Sequence, residues 1–363
     1  MKRIVTFGEI MGRLTPPGVL RLRQALPGSL DVTFAGAEAN VAASLSLLGM
    51  QTSFVTALPS NVIADACVNS LNSLDIDTQH IVRSEQGRLG LYFLETGANQ
   101  RASQVIYDRD VSSISLTSPE QYNWKQVFDG ANWFHVTGIT PAVSKLAAES
   151  TIVAVRAAKD SGVTVSCDLN FRKKLWRWSG DVDPRELAEK TMRELLPFVD
   201  IVIANEEDCG DVLNIRAGET DVHSGSLNID RYPDVARQLA NQFPDVSLVA
   251  ITLRESISAS HNNWGGMLYD RSNDVAHFAP MDSGHYQPYS ITNIVDRVGA
   301  GDSFAAGLIF ALNSDDYYAS QDAIRFAVAS SCLAHSIVGD CNFSTRSEVE
   351  ALMQGAASGR VIR

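Results

Sequence analysis

The stretch with the clearest chemical potential is VDRVGAGDSF, residues 295–304, which runs on into the apolar segment AAGLIFAL. That segment reads as a helix, and Gly299-Ala300-Gly301-Asp302 stands at its mouth. Two readings of Asp302 fit this placement. In one it is an N-cap, the ordinary use of an aspartate at a helix start. In the other, the glycines leave successive backbone N–H groups bare, the helix dipole adds positive potential, and the turn holds an anion. Such a hole stabilises negative charge building on a phosphoryl group, and an aspartate in the same turn can accept the proton of an attacking hydroxyl. The helix N-terminus is expected to keep Asp302 ionised. No G-x-x-x-x-G-K-[ST] and no G-x-G-x-x-G occurs, so the P-loop and dinucleotide fingerprints are both missing.

A turn of this kind needs a rigid frame. Short β-branched or aromatic runs recur at 4–7, 53–58, 133–139, 163–169, 199–205 and 247–252. Helix-like segments lie between most of them, among them 38–49 and 144–162, each closed by a glycine suited to a helix C-terminus. The alternation predicts an α/β fold whose mostly parallel sheet is covered by helices on both faces. Two regions break it. Residues 13–36 contain LTPPG and LDVTFAG, and residues 88–112 read as two period-2 runs around a glycine-containing turn. These pieces are expected to pair into a small sheet projecting from the main domain, with a partner subunit or a closed-over substrate covering its open face; ordinary surface hairpins are the alternative.

The chain has 363 residues, 45% of them hydrophobic, and a formal charge of −12, which argues against nucleic acid or an anionic membrane as partner. Of its 30 basic residues, 23 are arginines, the side chain suited to bidentate contact with carboxylate or phosphate. The five cysteines are scattered without a CxxC pair, and Cys167 and Cys332 lie in apolar surroundings that suggest buried thiols. No apolar stretch reaches the ~18 residues of a membrane span, and the N-terminus enters a strand-like run without a signal-peptide core. A cytoplasmic protein is expected.

Several motifs in order, spread over nearly the whole chain, resemble the ribokinase-like (pfkB-type) carbohydrate kinases. FAGAEANVAASLSLLG (34–49) is similar to the N-terminal sugar-binding motif, NEED (205–208) to the N-x-x-E motif that orients hydrated Mg²⁺, and GAGD to the anion hole with its catalytic base. FGEIMGRLTPPG (7–18), DLNFRKKLW (168–176) and IVGDCNFSTRSEVEALM (337–353) resemble the 2-keto-3-deoxygluconate kinase branch. The resemblance implies one ribokinase-like kinase domain over 1–363 with the lid inserted in it, a sugar-acid substrate, ATP and Mg²⁺, with a monovalent cation as a further candidate, and a homo-oligomer formed through the lid. It implies Asp302 as base in the anion hole of Gly299, Ala300 and Gly301. Substrate contacts then fall on Gly36, Asn40, Tyr92, Tyr107, Arg109 and Arg172, with the two arginines gripping the substrate carboxylate. Nucleotide contacts fall on Asn205, Thr252, Arg254, Gly299 and Gly301, and water-mediated metal contacts on Glu207 and Asp208. The tyrosines also fit as strand filler and Arg172 as a snorkelling surface cation.

Three positions depart from the family pattern. Ala35 stands for the first glycine of a pair, Asp208 for the glutamate of N-x-x-E, and TLRESISASHNNWGG after the strand at 247–252, expected to be the nucleotide loop, brings its glycines late. A neutral-sugar kinase of the fructokinase type, another sugar or nucleoside kinase, and a non-catalytic sugar-binding relative are the competing functions. The intact Gly299 turn and Asp302 speak against the last.

Overall fold

The computed structural model describes residues 2–216, 228–317 and 319–355. Seven strands run parallel in the order Ile76–Asp77, Gln51–Val55, Arg3–Phe7, Ala131–Thr137, Thr164–Asp168, Ile201–Ala204, Leu248–Ser258. Every residue of Ile201–Ala204 is buried, as expected of a strand covered on both faces. Helices Lys145–Asp160, Pro184–Leu195 and Tyr232–Gln242 pack one core with Phe7, Phe134 and Trp176. On the other core lie Ala37–Leu47, Ala300–Asn313 and Ser320–Ala334, with Phe304, Phe310 and Phe326 buried in it. The expected helix stops at Gly49 and Gly162 have φ of +92° and +72°, the left-handed conformation that a glycine adopts without strain. Cys167 is buried, whereas Cys332 only packs against its core from the edge and is partly covered.

The expected nucleotide loop is not a loop. Leu248–Ser258 turns directly into His261–Asp270, which pairs with it antiparallel and also carries Val275–Ala279 and Tyr289–Ile291. Arg254 is a strand residue opposite Trp264. The run RESISASHNN is too polar to read as core strand, but here the backbone ladder, not burial, holds its outer half.

The segments expected to form a small sheet do so. Met11–Thr15 pairs antiparallel with Asp31–Ala35 and parallel with Gly90–Glu95, which pairs antiparallel with Gln104–Asp108. Register then sorts the faces. Arg13, Tyr92 and Tyr107 are in-register neighbours on the face that meets the cleft, while Val32, Leu14, Phe93 and Ile106 form a row on the opposite face. The chain passes from the large sheet to the small one through residues 8–10, and Gly8 is needed there because a Cβ would lie 2.1 Å from the Glu38 carboxyl group.

Candidate active site

Between the two sheets lies a cleft of about 370 Å³, within the range of small-ligand sites. At its floor Gly299, with φ of +84°, is the N-cap of the Ala300–Asn313 helix, and no side chain caps that end. Asp302 is therefore not an N-cap; it sits three residues in. An alanine at 299 is excluded twice over, by the positive φ and by a Cβ that would lie 2.0 Å from the Asp340 carbonyl oxygen. A Cβ at Gly301 would meet nothing within 4 Å, so the turn opens onto the cleft with the first N–H groups of the helix unclaimed by the helix itself.

Asp302 Oδ2 accepts a hydrogen bond from Asn40 Nδ2 (2.7 Å), and Asn40 Oδ1 accepts one from the Gly36 amide (3.2 Å). Gly36 caps the Ala37–Leu47 helix and lies so close to Glu9 that a Cβ would come within 2.0 Å of its carbonyl oxygen. Two helix starts, contributing Asn40 and Asp302 from positions 262 residues apart, thus meet at one carboxylate. Burial pushes the Asp302 carboxyl up to about 7; the Asn40 hydrogen bond opposes this, the Asp340 charge adds to it, and Arg172 opposes it. The expectation that the helix terminus keeps Asp302 fully ionised is corrected: desolvation outweighs the dipole. Near neutral pH the group is poised between its two protonation states.

A stability effect follows from that sign. Ionised Asp302 costs stability wherever pH exceeds its raised folded value, and costs nothing below the ordinary aspartate range, where both folded and unfolded chains are protonated. Asp302→Asn is therefore expected to raise Tm at pH 8, with the gain shrinking steadily towards pH 4. Differential scanning calorimetry of both proteins across that range checks it; an equal or lower Tm for the variant at pH 8 refutes it.

Asp168 and Asp208 lie in the same wall, and burial raises both, Asp168 well above its ordinary value with help from the Asp208 and Asp302 charges. Arg172 answers this negative field. Its side chain is exposed at the cleft, its Nη1 donates to the Phe171 carbonyl (3.1 Å), and it forms no ion pair among the described residues. Arg109 differs from the expectation. It is buried against Glu9 as an ion pair, with its guanidinium carbon 5.4 Å from the Tyr107 ring centre. Glu9 Oε1 and Arg109 Nε are left buried without partners among the described residues, both in residues that line the cleft. Tyr92 has an unforeseen partner as well, since its hydroxyl donates to Asp340 Oδ2 (2.7 Å).

At the other end of the cleft, Thr252 is buried and Arg254 Nη2 donates to Glu206 Oε1 (3.0 Å). Arg297 Nη2 donates to the Ser258 carbonyl (3.1 Å) and Asn262 Oδ1 (2.9 Å), while its Nε is buried without a partner among the described residues. Burial and the neighbouring Arg254 charge pull Arg297 below its ordinary value. Arg297, near Arg254 and beside the open helix N-terminus, adds positive potential at this end of the cleft.

In the NEED segment, Asn205 Oδ1 accepts from the Glu207 and Asp208 amides (2.8 and 2.9 Å), and Asp208 Oδ2 accepts from the Asn205 amide (3.0 Å). Asp208 Oδ1 accepts from the Phe171 amide (3.1 Å). Both Asp208 oxygens are thus engaged by backbone, with lone pairs left for water. Glu207 is exposed and does not line the cleft; Glu206 does not line it either, but its side chain is buried against Arg254, with Oε2 lacking a partner among the described residues. No group of three or more His, Cys, Asp or Glu side chains is arranged to hold a metal among the described residues.

Apart from Glu207, every residue singled out from the sequence lines this cleft. Sequence reasoning missed Glu9, Asp168, Arg297 and Asp340, which line it too. All four lie inside stretches quoted for their pattern, yet a carboxylate or arginine has no spacing rule of its own when its partner is far away in the chain.

A family model described as pfkB family carbohydrate kinase matches residues 1–248 and 274–346. A crystal structure of 2-dehydro-3-deoxygluconokinase from Thermotoga maritima superimposes with a TM-score of 0.87 at 43% identity, covering 98% of each chain. A 2-dehydro-3-deoxygalactonokinase from Haloferax volcanii is 30% identical over 98% of both chains. A fructokinase from Solanum lycopersicum is 26% identical over 98% of this chain and 97% of its own.

Proposed function

The chain belongs to the pfkB family of carbohydrate kinases, and from that premise we propose that it is a cytoplasmic, ATP-dependent sugar-acid kinase, a single kinase domain with an inserted lid, that phosphorylates the terminal hydroxyl of 2-keto-3-deoxygluconate to give the 6-phosphate. The observation that carries this is the meeting in one cleft under the small sheet of Asp302, the open Gly299 turn and Arg172, which forms no ion pair among the described residues.

Asn40 holds Asp302 by one oxygen, which leaves the other free to accept the proton of the sugar hydroxyl. The amides of Ala300, Gly301 and Asp302 face the charge that develops as the phosphoryl group passes, and their dipoles need no reorganisation. Arg172 takes the substrate carboxylate, with Arg109, Tyr92 and Tyr107 closing around the sugar from the lid side. Arg254, Arg297 and Thr252 receive the nucleotide phosphates. The polar set suits a hydrated magnesium ion better than a bare one: Asp208 has only spare lone pairs, and Asn205 and Glu206 stand beside it. Asp208, Asn205 and Glu206 would hold it through water, and there it would supply neutralisation of phosphate charge. When the lid closes it excludes water and limits wasteful hydrolysis.

A neutral-sugar kinase is the second reading, favoured by the capture of Arg109 by Glu9, which removes one of the two cations expected for a carboxylate. A coupled ADP-release assay across sugar acids, fructose and nucleosides, in potassium and in sodium salts, separates the two and tests the cation requirement. Turnover with no acceptor of any class refutes both.

The lid also carries a partner proposal. Val32 and Ile106 are 61% and 52% exposed at the ends of the apolar row on its outer face, a surface that a second copy would cover. Analytical ultracentrifugation is expected to give a dimer that Val32→Asp with Ile106→Asp converts to monomer. A wild-type monomer at high concentration, or a dimer indifferent to both charges, refutes the lid interface.

A further inference from the structure

The lid reaches the anion hole through two side chains, Arg13 and Tyr92. Arg13, in the lid strand Met11–Thr15, is 3% exposed and forms ion pairs with both Asp296 and Asp340, while its Nε donates to Thr15 Oγ1 (3.2 Å). The two carboxylates flank the Gly299 turn. Asp296 also accepts from the Val298 amide on one side (Oδ1, 3.2 Å) and from the Gly339 amide on the other (Oδ2, 3.2 Å). The Asp340 carbonyl oxygen is the wall on which Gly299 rests, at a distance that leaves no room for a Cβ. A second lid residue, Tyr92, donates to the other oxygen of Asp340. No step of phosphoryl transfer described above uses Arg13 or Asp296, and burying two acids and an arginine is a costly way to fill space.

We propose that Arg13 is a positioning residue that couples the lid to the anion hole, so that acceptor binding under the lid sets the Gly299 turn for the nucleotide. The fork of a guanidinium suits this role because it holds two carboxylates at once in a fixed plane, which a lysine point charge cannot. Movement of the Met11–Thr15 and Gly90–Glu95 strands displaces Arg13 and Tyr92 together, and with them both supports of the turn. This rests on the kinase reading and on lid closure, but not on which sugar is the acceptor.

Coupling between two sites is reciprocal and measurable by binding alone. Calorimetric titration of the Mg²⁺ complex of a non-hydrolysable ATP analogue, without acceptor and with saturating 2-keto-3-deoxygluconate or fructose, gives the factor by which acceptor tightens nucleotide. In wild type that factor is expected to be about 5- to 150-fold, the usual span of such couplings. In Arg13→Gln it should fall towards one while each ligand alone still binds, and Arg13→Lys should recover part of it. A loss of packing alone would weaken both ligands and leave the ratio unchanged. If Arg13→Gln does not fold, Asp340→Asn, which keeps an acceptor for Tyr92 but loses the charge that holds Arg13, is expected to lower the factor in its place. A wild-type factor of one, or an undiminished factor in the variants, overturns the proposal. Binding of fructose but not the sugar acid would instead overturn the sugar-acid reading, with the coupling measured on fructose.

Discussion

Asp302→Asn is expected to lower kcat by about 10²–10⁴-fold, the range for loss of a general base, while acceptor and nucleotide still bind. The amide keeps the size of the carboxylate and can still pair with Asn40, so the Gly299 turn should not move. What is lost is the ability to take a proton. In wild type the raised carboxyl adds a pH signature: activity should fall as pH drops through about 7, because only the ionised form is a base. The residual rate of the variant should lack that limb. The groups that set the limb besides burial and the Asn40 hydrogen bond are Asp340 and Arg172, with Glu38, Asp168 and Cys341 also within range of the Asp302 charge. Steady-state kcat from pH 5.5 to 9 for both proteins checks the claim. Near-normal turnover in the variant removes Asp302 from the mechanism, and an acid limb near 4 in wild type would mean that substrate binding restores the aspartate to its ordinary range.

The frame was legible because parallel strands buried on both faces must be apolar throughout, and those runs stand out in the sequence wherever they occur. Ile201–Ala204 is of this kind. The small sheet was legible from its turns and period-2 arms. The hairpin through Arg254 was not, because the outer half of a two-stranded extension is fixed by backbone pairing and tolerates Ser, Asn and His. The same division holds at the site. Gly299, Asp302 and Asn40 carry local signatures, a turn or a helix start. Glu9 and Asp340 carry none: a buried carboxylate is recognisable only once its arginine is in place, and Arg109 and Arg13 arrive from other elements. Asp302's protonation was misjudged for a related reason, since dipoles are local and visible in sequence whereas burial is a property of the whole fold.

That distinction sharpens the test of substrate class, because the two arginines assigned to the substrate carboxylate are not equivalent. Arg172 has no ion-pair partner among the described residues and stands at the open cleft. If it meets the substrate carboxylate under a closed lid, Arg172→Ala should cost about 2–5 kcal/mol, the scale for truncating one partner of a buried charge pair. At ~1.36 kcal/mol per tenfold, that is roughly a 30- to 4,000-fold fall in kcat/KM for 2-keto-3-deoxygluconate. Fructose, which has no carboxylate, should lose far less. Arg109→Ala is expected to behave differently. It strands Glu9, a buried carboxylate, and removing one partner of a buried pair costs on the order of 3–5 kcal/mol of stability. Its kcat/KM should fall for acid and neutral sugar alike, and its Tm with them; adding Glu9→Gln should recover much of the Tm. Measuring both substrates and Tm in wild type and the three variants separates the roles. Equal losses on both sugars in Arg172→Ala would make Arg172 a phosphate or scaffold contact and take away the physical basis of acid specificity. A selective loss in Arg109→Ala would show that Glu9 yields the arginine to the substrate on closure, and the cleft would then have two cations for one carboxylate after all.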